Sequence, residues 1–209
     1  NDGSLLTATW VTFLETLWGF ALGMGIGTVL GFALWWSRAA AKVLEPFLIT
    51  LNSVPKIIFA PIFLVLIGLG FGFKVVVAFA GVVIVALLSA YAGAKEADPD
   101  LIDLVRSVGG NRWQVFRLIV VPTALPWVVV SMEINVGFAL IGAVVAEFIA
   151  SNEGLGYLAV QASGTFDMSL VLVSVIGLVV LAALLYGAVR LMESWVLPWR
   201  PSEARLQGR

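Results

Sequence analysis

Long stretches without charge constrain this chain more than any other feature. Four runs contain no Asp, Glu, Lys or Arg, and a fifth contains only Glu133. The five runs are residues 16–37, 57–73, 75–94, 118–146 and 168–189. About 20 apolar residues in a helix cross the hydrocarbon core of a bilayer, whereas an open sheet there would leave backbone groups unpaired. The sequence therefore predicts an all-α fold, a polytopic membrane helical bundle of about five transmembrane helices in a single domain over residues 1–209.

The basic residues give this bundle an orientation. If Asn1 lies outside, ten of the twelve Lys and Arg residues fall on the cytoplasmic side, as the positive-inside rule requires. Lys74 then falls outside, and Lys56 lies within a span. We expect a multi-pass protein with a cytoplasmic C-terminus. Because the chain starts outside and without Met, we also expect an additional N-terminal helix ahead of it.

Missing residue types narrow the chemistry. The chain has no His and no Cys, which excludes thiol redox chemistry, Cys/His metal sites and a His-based catalytic triad. No G-x-x-x-x-G-K-[ST] motif is present, so the chain itself does not hydrolyse ATP in the P-loop manner. The charges are too few and too scattered for a nucleic-acid surface. Transport, membrane signalling and scaffolding remain.

One polar, basic segment on the cytoplasmic side stands between two apolar runs. Four apolar residues there have the spacing of a short amphipathic helix, namely Leu101, Leu104, Val105 and Val108. Gly109 and Gly110 break this helix, and Asn111 can cap a second one with Gln114 as in a capping box. The pattern predicts two short helices bent at a glycine pair and closed by Pro122. Such a knob suits docking into a partner.

Prolines and glycines distinguish the first two spans. Gly19, Gly23, Gly27 and Gly31 form one face of the first span, where small residues let another helix approach closely. Packing within the chain is the favoured interpretation over a dimer seam. The second span contains Pro46 and Pro55, with Pro61 further on. Backbone broken at membrane depth lies inside protein or beside a cavity, so this span either lines a pathway or is only kinked packing.

Polar residues within the spans extend the candidate pathway. Lys56 and Glu133 come at comparable depth along their helices, so they could form an ion pair; a purely structural pair or a snorkelling Lys56 is the alternative. If Glu133 faces the cavity, it disfavours an anionic substrate, and pairing with Lys56 would shrink that bias. The candidate translocation-path residues are Pro55, Lys56, Phe59, Pro61, Glu133, Asn135 and Glu147.

The cytoplasmic segment resembles the coupling loop of binding-protein-dependent ABC importer permeases. That loop reads E-A-A, three residues, G, nine residues, I-x-L-P. Here Asp103-Leu104-Val105, Gly109, Ile119 and Pro122 keep the spacing, while the triplet keeps only its acidic character and Val121 replaces Leu. Residues 12–20, 54–70 and 197–199, with Glu147 and 154–156, are similar to the nitrate/sulfonate/taurine-type subfamily. Glu15 and Glu133 stand where many members carry Arg, and branches importing thiamine-pyrimidine precursors or flavins look equally similar.

The resemblance implies a permease subunit of the bacterial inner membrane, forming a homodimer embedded in membrane lipid. Its substrate would be a small nutrient, either a thiamine-pyrimidine or flavin-like heterocycle or a sulfonate, taurine or nitrate. Cytoplasmic P-loop ATPase subunits would carry ATP and Mg, an extracytoplasmic substrate-binding protein would deliver the substrate, and this chain would hold no cofactor. The coupling loop would span residues 98–122, with ATPase-coupling residues Asp103, Leu104, Val105, Val108, Gly109, Ile119 and Pro122. The alternatives are a secondary transporter driven by an ion gradient and a non-transporting scaffold.

Overall fold

Helices account for all the regular structure in the part of the chain that the computed structural model describes, residues 2–196. The long helices are α1 (Asp2–Trp36), α4 (Phe71–Lys95), α7 (Val121–Ala150) and α9 (Met168–Val196). The shorter ones are α2 (Arg38–Ser53), α3 (Ala60–Ile67), α5 (Pro99–Ser107), α6 (Arg112–Val115) and α8 (Leu155–Gly164). Asn1 and the predicted elements at 197–199, including Trp199, lie outside the described residues, as do the C-terminal arginines.

Four helices are long and apolar enough to cross a membrane, and a bent pair raises the number to five. The four are α1, α4, α9 and the helix of 39 residues that runs from Arg112 to Ala150. The pair joins α2 to the segment Lys56–Ile67 with a bend of 86°. The prediction of a helical bundle with about five spans is confirmed.

The centre of the bundle is α4, which packs against α1 on one side and α7 on the other. The glycine face of α1 lies on α4: a Cβ added to Gly19, Gly23, Gly27 or Gly31 would lie less than 3.0 Å from an atom of α4. The glycines therefore bring two helices of the same chain together, and the preference for packing within the chain over a dimer seam is confirmed.

The second span is broken where the sequence places its prolines. Val54 ends α2 with ψ 131°, the extended conformation that the ring of a following proline imposes. A single 3₁₀ turn, Lys56–Phe59, then leads into α3. Gly68 and Gly70 follow with φ values of +84° and +136°, which a residue without Cβ adopts at little cost. The chain thereby reverses into α4.

Candidate coupling surface and transport path

Helix α5 begins with a cap that its sequence predicts. The Asp98 carboxylate accepts a hydrogen bond from the Asp100 N–H at 2.8 Å, and Pro99 occupies the first turn. Ile102 and Val105 then pack against a core that includes Val115. The opposite side carries an apolar strip, with Leu101, Leu104 and Val108 exposed at 48%, 59% and 80%. We call these three residues the α5 strip.

The glycine pair makes the bend after α5, as the sequence predicts. Gly109 has φ +84°, in the left-handed region. Gly110 donates its N–H to the Val105 carbonyl at 2.8 Å, and a Cβ on Gly110 would lie 2.5 Å from that oxygen. Gly109 supplies the backbone conformation and Gly110 supplies the close approach.

The capping box at the start of α6 is confirmed. Asn111 Oδ1 accepts from the Gln114 N–H at 2.9 Å, and Gln114 Oε1 accepts from the Asn111 N–H at 2.7 Å. Both partners stand at the exposed surface. This reciprocal pair fixes the point at which the chain re-enters helical structure after the bend.

The second short helix does not close at Pro122, which corrects the prediction of a separate knob. A π turn over Phe116–Val120 joins α6 to α7, and the helix continues from Arg112 to Ala150. Within this turn Val121 donates its N–H to the Phe116 carbonyl, five residues back. Pro122 has no N–H to offer the carbonyl four residues before it, and a wider turn accommodates that missing donor. The loop is thus rigidly attached to a membrane span.

The predicted coupling residues divide into two groups. Asp103, Leu104, Val108, Gly109 and Pro122 are exposed, and Asp103 pairs with Arg106 at 3.5 Å. Val105 is half-buried and packs partly on the core of its own chain. Ile119 is 8% exposed within the same core, and a coupling role for either residue stays a prediction. Periodicity alone could not separate the inward from the outward apolar residues of so short a helix.

An aromatic cluster anchors the loop to α1. Arg112 donates to the Trp36 carbonyl and its guanidinium lies 5.1 Å from the Trp36 ring centre. Phe116 makes an edge contact with Trp36, with centroids 5.3 Å apart, and also packs near Trp35. The C-terminal end of α1 and helix α6 are therefore held together.

A cleft of about 410 Å³ opens beside the break in the second span. Its walls come from the end of α2, from α4 and from α7, and its lining includes Pro55, Lys56, Gly81, Phe138 and Ile141. Lys56 bonds Asn52 of its own segment, with Nζ 3.1 Å from Oδ1. The broken span and α7 therefore both line this cleft.

The predicted ion pair between Lys56 and Glu133 is wrong. Lys56 bonds Asn52, whereas Glu133 accepts a hydrogen bond from the Tyr186 hydroxyl of α9 at 3.2 Å. Glu133 does not line the cleft, to which α7 contributes Phe138 and Ile141. Equal depth along two helices says nothing of the direction in which each side chain points, and the helical rotation separates these groups.

The other predicted path residues lie in different surroundings. Asn135 is fully buried and donates Nδ2 to Met24 Sδ of α1 at 3.3 Å. Phe59 is half-buried, and Pro61 is exposed at the start of α3. Glu147 is 1% exposed near the C-terminal end of α7. The structure places only Pro55 and Lys56 on the cleft, and a path role for the others stays a prediction.

Glu147 belongs to a buried cluster whose other members the sequence did not reveal. Its carboxylate accepts from the Thr12 hydroxyl at 2.6 Å and from the Gly156 N–H at 2.5 Å. The neighbouring Glu15 carboxylate pairs with Lys74, and both side chains are buried. Lys74, which the predicted orientation places on the outer side, lies in the first turn of α4 and is 3% exposed. Two features of the sequence could have indicated this cluster: the acidic Glu15 in the first span, and Lys74 as the one lysine predicted on the outer side.

Comparison with known proteins gives a consistent result. Residues 23–198 match the family described as binding-protein-dependent transport system inner membrane component. The formylaminopyrimidine transport permease ThiX of Halalkalibacterium halodurans is 30% identical over 185 residues, which cover 88% of this chain and 74% of ThiX. The taurine transport permease TauC of Escherichia coli is 28% identical over 188 residues, covering 90% of this chain and 65% of TauC.

The fold has a solved counterpart. The inward-facing methionine ABC transporter MetNI contains a chain that superposes with a TM-score of 0.81 at 21% identity, covering 93% of this chain and 97% of that one. The family match decides against the secondary transporter and the scaffold. The chain belongs to the binding-protein-dependent transport system inner membrane components, the permease subunits of ABC importers.

Proposed function

We propose that two copies of this permease form the path of an importer for a small nutrient, with the C-terminus in the cytoplasm. Cytoplasmic ATPase subunits, which hold ATP and Mg, drive transport through the path. An extracytoplasmic binding protein delivers the substrate to it. The observation that carries the proposal is the α5 strip, an exposed apolar surface joined through Gly109 to the helix that lines the cleft.

The coupling route follows from the continuous helix. An ATPase that moves while bound to the α5 strip pulls on Gly109 and Gly110. The Gly110 N–H is hydrogen-bonded to the Val105 carbonyl, so the bend moves with α5. The segment Arg112–Ala150 begins directly after this bend and carries Phe138 and Ile141 at the cleft. A helix without a flexible joint transmits displacement as a rigid body. Closure of the ATPase pair therefore changes the width of the cleft.

A second copy would complete the path. The cleft is walled by only part of the broken span, α4 and α7. Large apolar side chains on α2, on the 3₁₀ turn and on α3 have no cover within the described chain, and a second copy facing them would enclose the cleft. The most exposed of them are Val43, Phe47, Ile58, Val65 and Leu66. Contiguous apolar surface beside the cleft supports pairing of two permeases in addition to contact with lipid.

The charge at the cleft bears on the substrate. Lys56 is the ionisable side chain that lines it, and Glu133 points to Tyr186 instead. An ammonium in a membrane interior attracts an anionic or strongly hydrogen-bond-accepting group. This favours a sulfonate, taurine or nitrate over a cation, and it admits a pyrimidine through its acceptor atoms. The expectation that Glu133 repels anions loses its geometric basis.

Copurification tests the assembly. A tagged permease is expected to bring down a P-loop ATPase in about equal amount, as a coupled pair requires. Leu104→Asp places a charge in the α5 strip and should abolish that recovery. Ser107→Asp adds the same charge to an exposed polar position of the same helix and should leave it intact. Equal recovery by both variants would contradict the assigned surface.

Uptake into proteoliposomes of the full complex tests the substrate class. Lys56→Met should lower transport of a sulfonate by about tenfold or more, the order expected when a charged hydrogen-bond partner is lost. Glu133→Gln is the matched control and should leave sulfonate uptake unchanged. A wild-type complex that moves only a neutral heterocycle, equally well with Met at position 56, would refute the anion preference while leaving the importer assignment in place.

A further inference from the structure

At the C-terminal end of α7, the Glu147 carboxylate lies very close to the backbone of residues 154–156. The Glu147 carboxyl fills the place where a side chain at residue 154 or 156 would stand: a Cβ on Gly156 would lie 2.6 Å from Glu147 Oε2. Gly154 has φ +110°, so glycine is required there for conformation as well as for space. Thr12 Oγ1 accepts from the Leu155 N–H at 2.9 Å. The loop is thus bound to α1 as well as to α7.

A second set of contacts ties the same loop to α4. Lys74 pairs with Glu15 of α1 and donates Nζ to Ser151 Oγ at 3.1 Å. Ser151 in turn donates its hydroxyl to the Glu153 carbonyl at 2.5 Å. The residues Thr12, Glu15, Lys74, Glu147 and Ser151, with the backbone of 155–156, form what we call the outer charge cluster. It connects α1, α4, α7 and the loop 151–156.

Burial makes this arrangement costly. Glu15, Lys74 and Glu147 are 0%, 3% and 1% exposed, within helices that are long and apolar enough to cross the membrane. Apolar residues would hold helices together without the desolvation penalty of buried ions. Ionisable groups retained at such depth point to a functional requirement. The contacts of Lys74 with both Glu15 and Ser151 indicate that the requirement concerns the loop.

All the charged side chains that the segment beginning with this loop presents to the outside are negative. Residues 151–167 contain Glu153 and Asp167 and no Lys or Arg. Asn152 and Glu153 are exposed directly beside the buried anchor. A partner with a basic patch fits this surface by charge complementarity.

We propose that Glu15 and Lys74 are positioning residues that lock the loop 151–156 onto α1 and α4, so that a basic surface of the substrate-binding protein docked on the loop acts on the bundle. This inference rests on the proposed function, because it requires the loop to face the binding protein. Without the lock, residues 151–153 lose their tie to α4 and move relative to it. Docking then no longer stimulates the ATPase at the far end of α7.

Single and paired substitutions in the intact complex test the lock. Lys74→Met leaves the Glu15 carboxylate buried without its ion-pair partner, whereas Glu15→Gln with Lys74→Met removes both charges at nearly constant volume. Lys42→Met, at an exposed cytoplasmic position, is the control. Because the chain contains no Cys, Asn152→Cys carries a single spin label that reports loop mobility. The docking probe is the substrate-binding protein recovered by cross-linking to the complex.

In Lys74→Met we expect a mobile label and a half-maximal binding-protein concentration for ATPase stimulation raised about tenfold, a typical coupling factor. Basal ATPase activity stays unchanged, and the double substitution keeps the label mobile because it still lacks the bond from Lys74 to Ser151. An immobile label with unchanged stimulation in Lys74→Met would overturn the proposal. So would wild-type stimulation in the double substitution, because the loss in Lys74→Met would then come from the unpaired Glu15 carboxylate and not from the missing bond to Ser151. If the wild-type complex shows no stimulation, the proposed function fails, and label mobility still decides whether the lock exists.

Discussion

The glycine face of α1 permits a prediction whose size follows from the structure. A Cβ on Gly27 would lie 2.5 Å from the Val83 carbonyl oxygen and 3.1 Å from the Leu87 nitrogen. Both are backbone atoms of α4, so no side-chain rotation relieves the contact. Helix α4 would have to retreat by about 0.9 Å to restore ordinary van der Waals distance. Gly27→Ala should therefore force apart the most extensive helix contact in the bundle.

Gly25 provides a matched control in the same helix. A Cβ there would meet nothing within 4 Å. Both substitutions raise the free energy of unfolding by about 0.5–1 kcal/mol, because alanine is more favourable than glycine in a helix. This increase cancels when the two variants are compared. Overpacking costs about 1–3 kcal/mol. The free energy of unfolding of Gly27→Ala should thus fall below that of Gly25→Ala by about 1–3 kcal/mol, the whole overpacking cost.

Equilibrium unfolding in mixed micelles titrated with denaturing detergent measures this difference directly. The helix content of both variants is followed through the transition, with the wild type as reference. Gly25→Ala should unfold at the same detergent fraction as wild type or slightly later, and Gly27→Ala earlier. Indistinguishable unfolding free energies for the two variants would refute the inference that the glycines are needed for contact between α1 and α4.

Three further predictions concern coupling and the path. Gly109→Val places a β-branched residue at φ +84° and should leave the complex assembled while ATP hydrolysis proceeds without uptake; normal uptake per ATP would contradict this role. Asn111→Ala removes one half of the capping box and should lower stability by about 1 kcal/mol, measured in the same micelle titration; no change would show that the bend does not need the cap. Lys56→Cys should react with a small polar thiol reagent, because it lines the cleft, whereas the fully buried Ala60→Cys should not; equal reactivity would mean that the cleft is not a distinct accessible space.

Much of this protein is determined by local sequence. Charge-free runs fix the number of spans because the bilayer core tolerates little else there. Pro55 fixes the break in the second span through the restriction on the residue before a proline. Gly109 and the pair Asn111 and Gln114 fix the bend and the restart of the helix, since each acts through backbone atoms within a few residues. Features of this kind require no knowledge of distant neighbours.

Only the tertiary structure decided which side chains meet. Lys56 and Glu133 occupy comparable depths, yet the rotation of their helices turns one to the cleft and the other to Tyr186. Lys74 reads as an outer loop residue, but α1 brings Glu15 against it. Val105 and Leu104 are adjacent apolar residues, and packing half-buries Val105 while Leu104 stays exposed. A sequence gives the period of a helix, whereas the direction of each face is set by the neighbours that the whole bundle supplies.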